Sequence, residues 1–172
     1  MKVLRSTTKF TALTVILFML HGVTSHAKNL GDALKDSKWD GIIGTWVDPD
    51  TKGRNNKVSF VRQVKDHAIL ANGAAFGTQS VALIGRNAKD GTVFHVGADD
   101  KGSSVLGKWT FKNNDAVLEL GFVTGEGAEG VMKIRYVKKD ENTLTVSLEG
   151  LSPQPILYSL VKVKTASDPK RP

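Results

Sequence analysis

From about residue 40 onward the chain consists of short apolar or alternating runs separated by Gly, Asn and Asp, and no helical period persists. Such runs are typical of β-strands, and the segments 89–91, 112–115 and 139–142 have the composition of hairpin loops. Successive hairpins predict an all-β fold, an up-and-down antiparallel β-barrel of about 8–10 strands, because closure removes exposed strand edges. The predicted strands cover residues 43–48, 57–64, 68–75, 80–86, 92–96, 105–111, 116–123, 130–138, 143–149 and 156–163.

The N-terminal segment has the pattern of a cleavable signal peptide. Lys2, Arg5 and Lys9 precede an apolar run over 12–20 that is shorter than the roughly 20 residues a membrane span requires. Ser25-His26-Ala27 then supplies small residues at a cleavage site. We expect residues 1–27 to be removed on export to the periplasm or the extracellular space, with no stable membrane span afterwards.

After the signal peptide, the sequence predicts one barrel domain over 28–164, which begins with a short helix over 29–39. A flexible C-terminal tail is predicted over 165–172. The chain has no cysteine, so its core must stabilise it without disulfides. Cleavage would lower the formal net charge from +7 to +4, since three of the 24 basic residues would leave. The remaining cations are scattered, which disfavours nucleic acid as a partner; the oligomeric state does not follow from the sequence.

Few residues suit catalysis or metal binding. Only His67 and His95 follow the predicted signal peptide, whereas zinc needs at least three protein ligands. There is no Gly-x-Ser-x-Gly nucleophile motif and no cysteine nucleophile. We expect no metal site and no cofactor. His95, on a predicted strand, is the one candidate for a general base or an axial haem ligand, and a strand histidine with a hydrogen-bonding role is the simpler interpretation.

The order of three segments resembles the calycin superfamily, and in particular the bacterial lipocalin-like domains. A short helix leads into Gly44-Thr45-Trp46, which is similar to the Gly-x-Trp opening of lipocalins, and Ala82–Gly91 and Gly107–Phe111 follow. The resemblance implies a closed barrel, and it implies an arginine from the final strand over Trp46. Lys162 and Lys164 are available there, where lipocalins usually have arginine. It implies no particular activity, because the fold hosts carriers, inhibitors, haem proteins and a few enzymes.

Three functions stay open at the level of sequence. The first is a non-enzymatic binding module that holds a small apolar or amphipathic ligand inside the barrel; the second is a packed structural or interaction protein of the cell envelope; the third is an enzyme that uses His95. The sequence favours the first, since strand alternation predicts an aliphatic and aromatic interior. The predicted ligand-binding residues are Trp46, Phe94, His95, Trp109, Phe111, Leu118, Leu120, Met132, Ile134, Tyr136 and Tyr158.

Overall fold

A computed structural model describes residues 28–164, in which ten antiparallel strands form one closed barrel. Each strand pairs with its neighbours in sequence, and the first pairs with the last, so the prediction of an all-β, up-and-down barrel is confirmed. The predicted signal peptide (1–27) and tail (165–172) lie outside the described residues. The elements are α1 (Leu30–Asp36), a 3-10 turn (Asp40–Ile42), β1 (Gly44–Val47), β2 (Asn56–Val64), β3 (Ala68–Ala75), β4 (Thr78–Arg86), β5 (Val93–Asp99), β6 (Ser104–Lys112), β7 (Asp115–Val123), β8 (Glu129–Lys138), β9 (Thr143–Glu149) and β10 (Ile156–Lys162).

Alternation along the strands decides which side chains enter the barrel. On β7 and β8 the inward positions pair directly, with Leu118 opposite Ile134 and Leu120 opposite Met132. Lys133 and Glu119 pair on the outer face, where they form an ion pair of 3.2 Å. The period of two therefore places the apolar set inside and the charged set in solvent.

The helix α1 is shorter than the sequence predicted. It begins after Asn29, whose side chain accepts a hydrogen bond from the Asp32 amide at 2.8 Å. It ends at Asp36 because the Ser37 hydroxyl donates to the Ala33 carbonyl at 2.7 Å and Lys38 adopts a left-handed φ of 60°. The chain therefore turns there and does not continue as a helix to residue 39.

The helix α1 and the 3-10 turn cover one end of the barrel, which we call the floor. The Gly31 amide donates to the Asp66 carbonyl at 2.9 Å, and the indole of the buried Trp39 donates to the Asn113 carbonyl at 3.1 Å. Both acceptors lie in turns that join strands at this end. The opposite end, which we call the mouth, is formed by the loops 48–55, 76–77, 100–103, 124–128 and 150–155.

A lysine takes the position over Trp46 for which the resemblance implied an arginine. The Nζ of Lys162 lies 5.3 Å from the ring centroid of Trp46 and donates to the Gly41 carbonyl at 2.7 Å. Gly44 has a φ of +125°, and a Cβ there would lie 3.0 Å from the Lys162 side chain. The Gly-x-Trp sequence therefore combines a backbone conformation that favours glycine with room for the closing cation.

Candidate functional site

The barrel contains a cavity of about 390 Å³ between its floor and its mouth. This volume falls in the usual range of small-molecule sites, about 300 to 1,000 Å³. Aliphatic and aromatic side chains form most of its wall, and Thr78, Ser80 and Ser103 add hydroxyl groups towards the mouth. Its lining includes Asn56, Phe60, Ala71, Gly73, Ala75, Phe76, Ala82, His95, Trp109, Leu118, Leu120, Met132, Ile134, Tyr136, Leu151, Tyr158 and Leu160.

The cavity exists because one wall of the barrel carries small residues. On β3 the inward positions at this level are Ala71, Gly73 and Ala75, and on β4 Ala82 pairs with Ala71. The facing strands β7 to β10 supply leucine, isoleucine, methionine and tyrosine instead. Large side chains on one side do not reach across to small ones on the other, so space remains at the barrel axis.

Aromatic rings separate the cavity from the floor. Trp109 has its ring centroid 6.4 Å from that of Phe60 and 5.6 Å from that of Tyr136. On its other side it stacks on Phe111 at 5.7 Å, and Phe111 contacts Trp39 at 6.2 Å. Trp109 thus belongs both to the packed floor and to the surface that an occupant would contact.

His95 is buried and hydrogen-bonded to Trp109. The indole Nε1 of Trp109 donates to the Nδ1 of His95 at 3.3 Å. Burial lowers the pKa of His95 to about 4, so the imidazole is neutral near pH 7. Because Nδ1 is the acceptor, the proton of the neutral ring resides on Nε2. His95 therefore offers the cavity an N–H donor.

Asn56 adds a carboxamide, which carries an acceptor oxygen and two N–H donors. It is only 9% exposed and lines the cavity on β2 near the mouth, where it pairs with Ala75. Its Oδ1 is the one fully enclosed side-chain polar atom in residues 28–164 without a hydrogen-bond partner. Asn56 thus presents an acceptor with no protein donor.

Two tyrosines add hydroxyl groups to the lining. Tyr136 and Tyr158 lie on either side of Val146, in register across β8, β9 and β10. Burial raises the pKa of Tyr158 to about 12, and burial together with the nearby Tyr158 raises the pKa of Tyr136 further above its ordinary value. Both phenols are therefore protonated at any ordinary pH.

The mouth has an apolar rim. Phe76, in the turn between β3 and β4, is 61% exposed, and Leu151, in the loop before β10, is 49% exposed. Both side chains also line the cavity. Apolar groups that lead from solvent into an apolar interior are suited to the entry of a poorly soluble molecule.

The structure brings eight of the eleven predicted site residues to the cavity, and three lie elsewhere. Phe94 lies on the outer wall, since it precedes the inward His95 on β5 and adjacent strand residues face opposite sides. Trp46 is buried and donates from its indole to the Ile42 carbonyl at 2.8 Å, and Phe111 packs in the floor. Those that line the cavity are His95, Trp109, Leu118, Leu120, Met132, Ile134, Tyr136 and Tyr158.

No family model matches the chain, and no curated protein matches it.

Metal-ligand clusters and apolar helices are two further features to consider in residues 28–164. No group of three or more histidine, aspartate or glutamate side chains in this part of the chain could hold a metal ion. Within the same residues, no helix has both the length and the apolar character of a membrane span.

Sequence reasoning missed Asn56 and Phe60. Both face inward on β2, because each is two residues from Val58, which pairs with the inward Trp46. Val61, at an outward position, interrupts the apolar alternation and hides the pattern. Register with Trp46, once the β1–β2 pairing was assumed, would have identified the inner face.

The chemistry of the cavity favours binding over catalysis. The side-chain hydrogen bond of His95 is to an indole and not to a carboxylate that would orient it as a base. An imidazole with a pKa near 4 is also a weak proton acceptor at neutral pH. What the cavity provides is mainly apolar surface with several hydrogen-bonding groups, among them the imidazole of His95, the amide of Asn56 and the two tyrosine hydroxyls.

A second, shallower groove of about 700 Å³ lies on the outer wall, over Gly121 and between the exposed side chains of Leu106 and Val131. Phe94 belongs to this groove. The interior cavity is the better candidate, because it is more enclosed and is lined by convergent polar groups.

Proposed function

We propose that this protein is a non-enzymatic carrier that holds one small apolar or amphipathic molecule inside its barrel. The observation that carries the proposal is the cavity of about 390 Å³, with its mainly apolar wall and its apolar rim. Transfer of an apolar ligand from water into such a space is favourable by about 25 cal/mol per Å² of buried apolar surface. The same cavity makes a packed interaction protein the less favoured alternative.

We further propose that the chain is a distant lipocalin-like protein that acts outside the cytoplasm. The closed barrel, the short helix over its floor and the contact of Lys162 with Trp46 support the likeness. The basic, apolar and small-residue pattern of residues 1–27 supports export.

The test is a titration with N-phenyl-1-naphthylamine, a neutral dye whose emission increases in apolar surroundings. We expect one dye per protein, together with quenching of tryptophan emission, because Trp109 lies against the cavity. In a Trp109→Phe variant the dye should still bind, with most of the quenching lost.

Two substitutions on neighbouring strands locate the dye. Leu120→Trp adds volume inside the cavity and should abolish one-to-one binding, whereas Leu106→Trp adds the same residue to the outer wall and should leave it intact. The carrier proposal fails if the wild type binds no dye, or if Leu120→Trp binds it as well as the wild type does.

A further inference from the structure

The unpartnered Oδ1 of Asn56 restricts what the cavity accepts. A buried carbonyl oxygen without a donor costs free energy, and native proteins usually satisfy such groups. This Oδ1 is the one side-chain polar atom in residues 28–164 that is fully enclosed and has no hydrogen-bond partner. Asn56 borders the cavity, so an occupant is placed to supply the missing donor.

The cavity wall also argues against a charged occupant. Its two charged lining residues, Lys57 and Asp99, belong to the mouth ends of β2 and β5. Lys57 occupies an exposed outward position, and the Asp99 carboxylate already accepts from the Lys101 and Ser103 amides at 2.9 and 2.8 Å. A charge carried into the interior would therefore lose its hydration without gaining an ion pair there.

His95 provides the complementary contact deeper in the barrel. Its Nδ1 is occupied by the Trp109 indole, so its Nε2–H is the atom it can offer to an acceptor. His95 lies four residues along β5 from Asp99 at the mouth end, while Asn56 is the first residue of β2 at that same end. The acceptor of Asn56 is thus near the mouth, and the donor of His95 is nearer the floor.

We infer that the physiological ligand is an uncharged amphipathic molecule, of the class of alcohols or amides with an alkyl or aromatic body, that donates a hydrogen bond to the Oδ1 of Asn56. The Nε2–H of His95 binds an acceptor on the same molecule where the ligand has one. This inference rests on the proposed carrier function. It excludes carboxylates and phosphates as the preferred ligands.

The test uses two isomers that differ in one property. 1-Undecanol and decyl methyl ether have the same atoms, but only the alcohol donates a hydrogen bond. Each is titrated against the wild-type protein loaded with N-phenyl-1-naphthylamine at pH 7.5, and sodium undecanoate serves as the charged analogue. We expect the alcohol to displace the dye about tenfold more tightly than the ether, and undecanoate to bind more weakly than the alcohol.

Two asparagine variants test whether the preference for the alcohol over the ether depends on Asn56. Asn56→Leu should reduce the ratio of alcohol to ether affinity to about one, because the acceptor is lost while the shape is nearly kept. Asn72→Leu makes the same change on the exposed outer face of β3 and should keep the wild-type ratio.

Failure of this inference differs from failure of the carrier proposal. If the dye binds and both isomers displace it with affinities within twofold, the protein is a carrier and the inference is wrong. An undecanoate affinity above that of the alcohol, or an unchanged ratio in Asn56→Leu, overturns it as well. The ratio of alcohol to ether affinity is measured on the wild-type protein alone. The inference can therefore still be tested if Asn56→Leu does not fold.

Discussion

His95 shows how a single buried side chain can link the stability of this barrel to pH. In the unfolded chain a histidine has a pKa of about 6.5, whereas burial lowers the pKa of His95 in the folded protein to about 4. Between these values the unfolded state binds a proton that the folded state does not. Stability is therefore full above about pH 6.5 and decreases as the pH falls towards 4.

We predict that lowering the pH from 7.5 to 5 reduces the free energy of unfolding by about 2 kcal/mol through His95 alone. In a His95→Leu variant that part of the decrease should disappear, whereas His67→Gln, a change at an exposed histidine, should keep it. Urea denaturation at both pH values measures the difference. Equal pH dependence in His95→Leu and the wild type would contradict the burial of His95.

Asn56 bears on the stability of the empty barrel. An inward asparagine without a partner stabilises the empty barrel less than an apolar residue of similar size would. We predict that Asn56→Leu unfolds at a temperature equal to or higher than that of the wild type when no ligand is present, as measured by circular dichroism. A clear decrease in melting temperature would show that Asn56 has a structural role instead.

At the scale of elements, closure of the barrel depends on the short β1–β10 pairing and on Lys162. The pairing joins Trp46 to Lys162 and Val47 to Val161. The Lys162 side chain adds a cation–π contact with Trp46 and a charged hydrogen bond to the Gly41 carbonyl, which fixes the 3-10 turn over the floor.

We predict that Lys162→Met lowers the free energy of unfolding by about 1–2 kcal/mol. Lys162→Arg should restore most of the loss, because it restores the cation. Lys164→Met, at an exposed position after the end of β10, is the matched control and should change stability by less than about 0.5 kcal/mol. A similar loss in both methionine variants would mean that the contact with Trp46 does not stabilise closure.

The sequence predicted the strands well because hairpins are local. Turn residues mark each reversal, and alternation inside β7, β8 and β9 identifies their inner faces without knowledge of distant contacts. β5 extends three residues beyond its predicted end at Val96 to Asp99, because its pairing with β4 continues to Ser80. That extension depends on the partner strand and is not visible in the sequence of β5 itself.

The site was only partly predictable, for a different physical reason. Alternation finds residues that face inward, but it does not tell whether their side chains fill the interior. The volume of the cavity depends on Ala71 and Ala82 facing leucine and tyrosine across the barrel. It is therefore set by the combined sizes of side chains on strands that are far apart in the sequence. Phe94 was assigned to the interior by its apolar character, although its neighbour His95 already occupied the inward position.

At the scale of the whole molecule, Lys28 and Asn29 already form hydrogen bonds within the folded domain. The Lys28 carbonyl accepts a hydrogen bond from Arg86, and Asn29 caps α1. We predict that exported protein begins at Lys28. N-terminal sequencing of material from the cell envelope or medium measures this directly, and a sequence that starts at Met1 would reject the predicted cleavage.

The central claim is that one neutral small molecule occupies the interior of this barrel. Native mass spectrometry tests it most directly, after incubation of the protein with a total lipid extract and removal of unbound material. We expect a single noncovalent adduct on the wild type and on Leu106→Trp, and none on Leu120→Trp, whose added indole occupies the cavity. An unliganded wild type, or the same adduct on Leu120→Trp, would contradict the account.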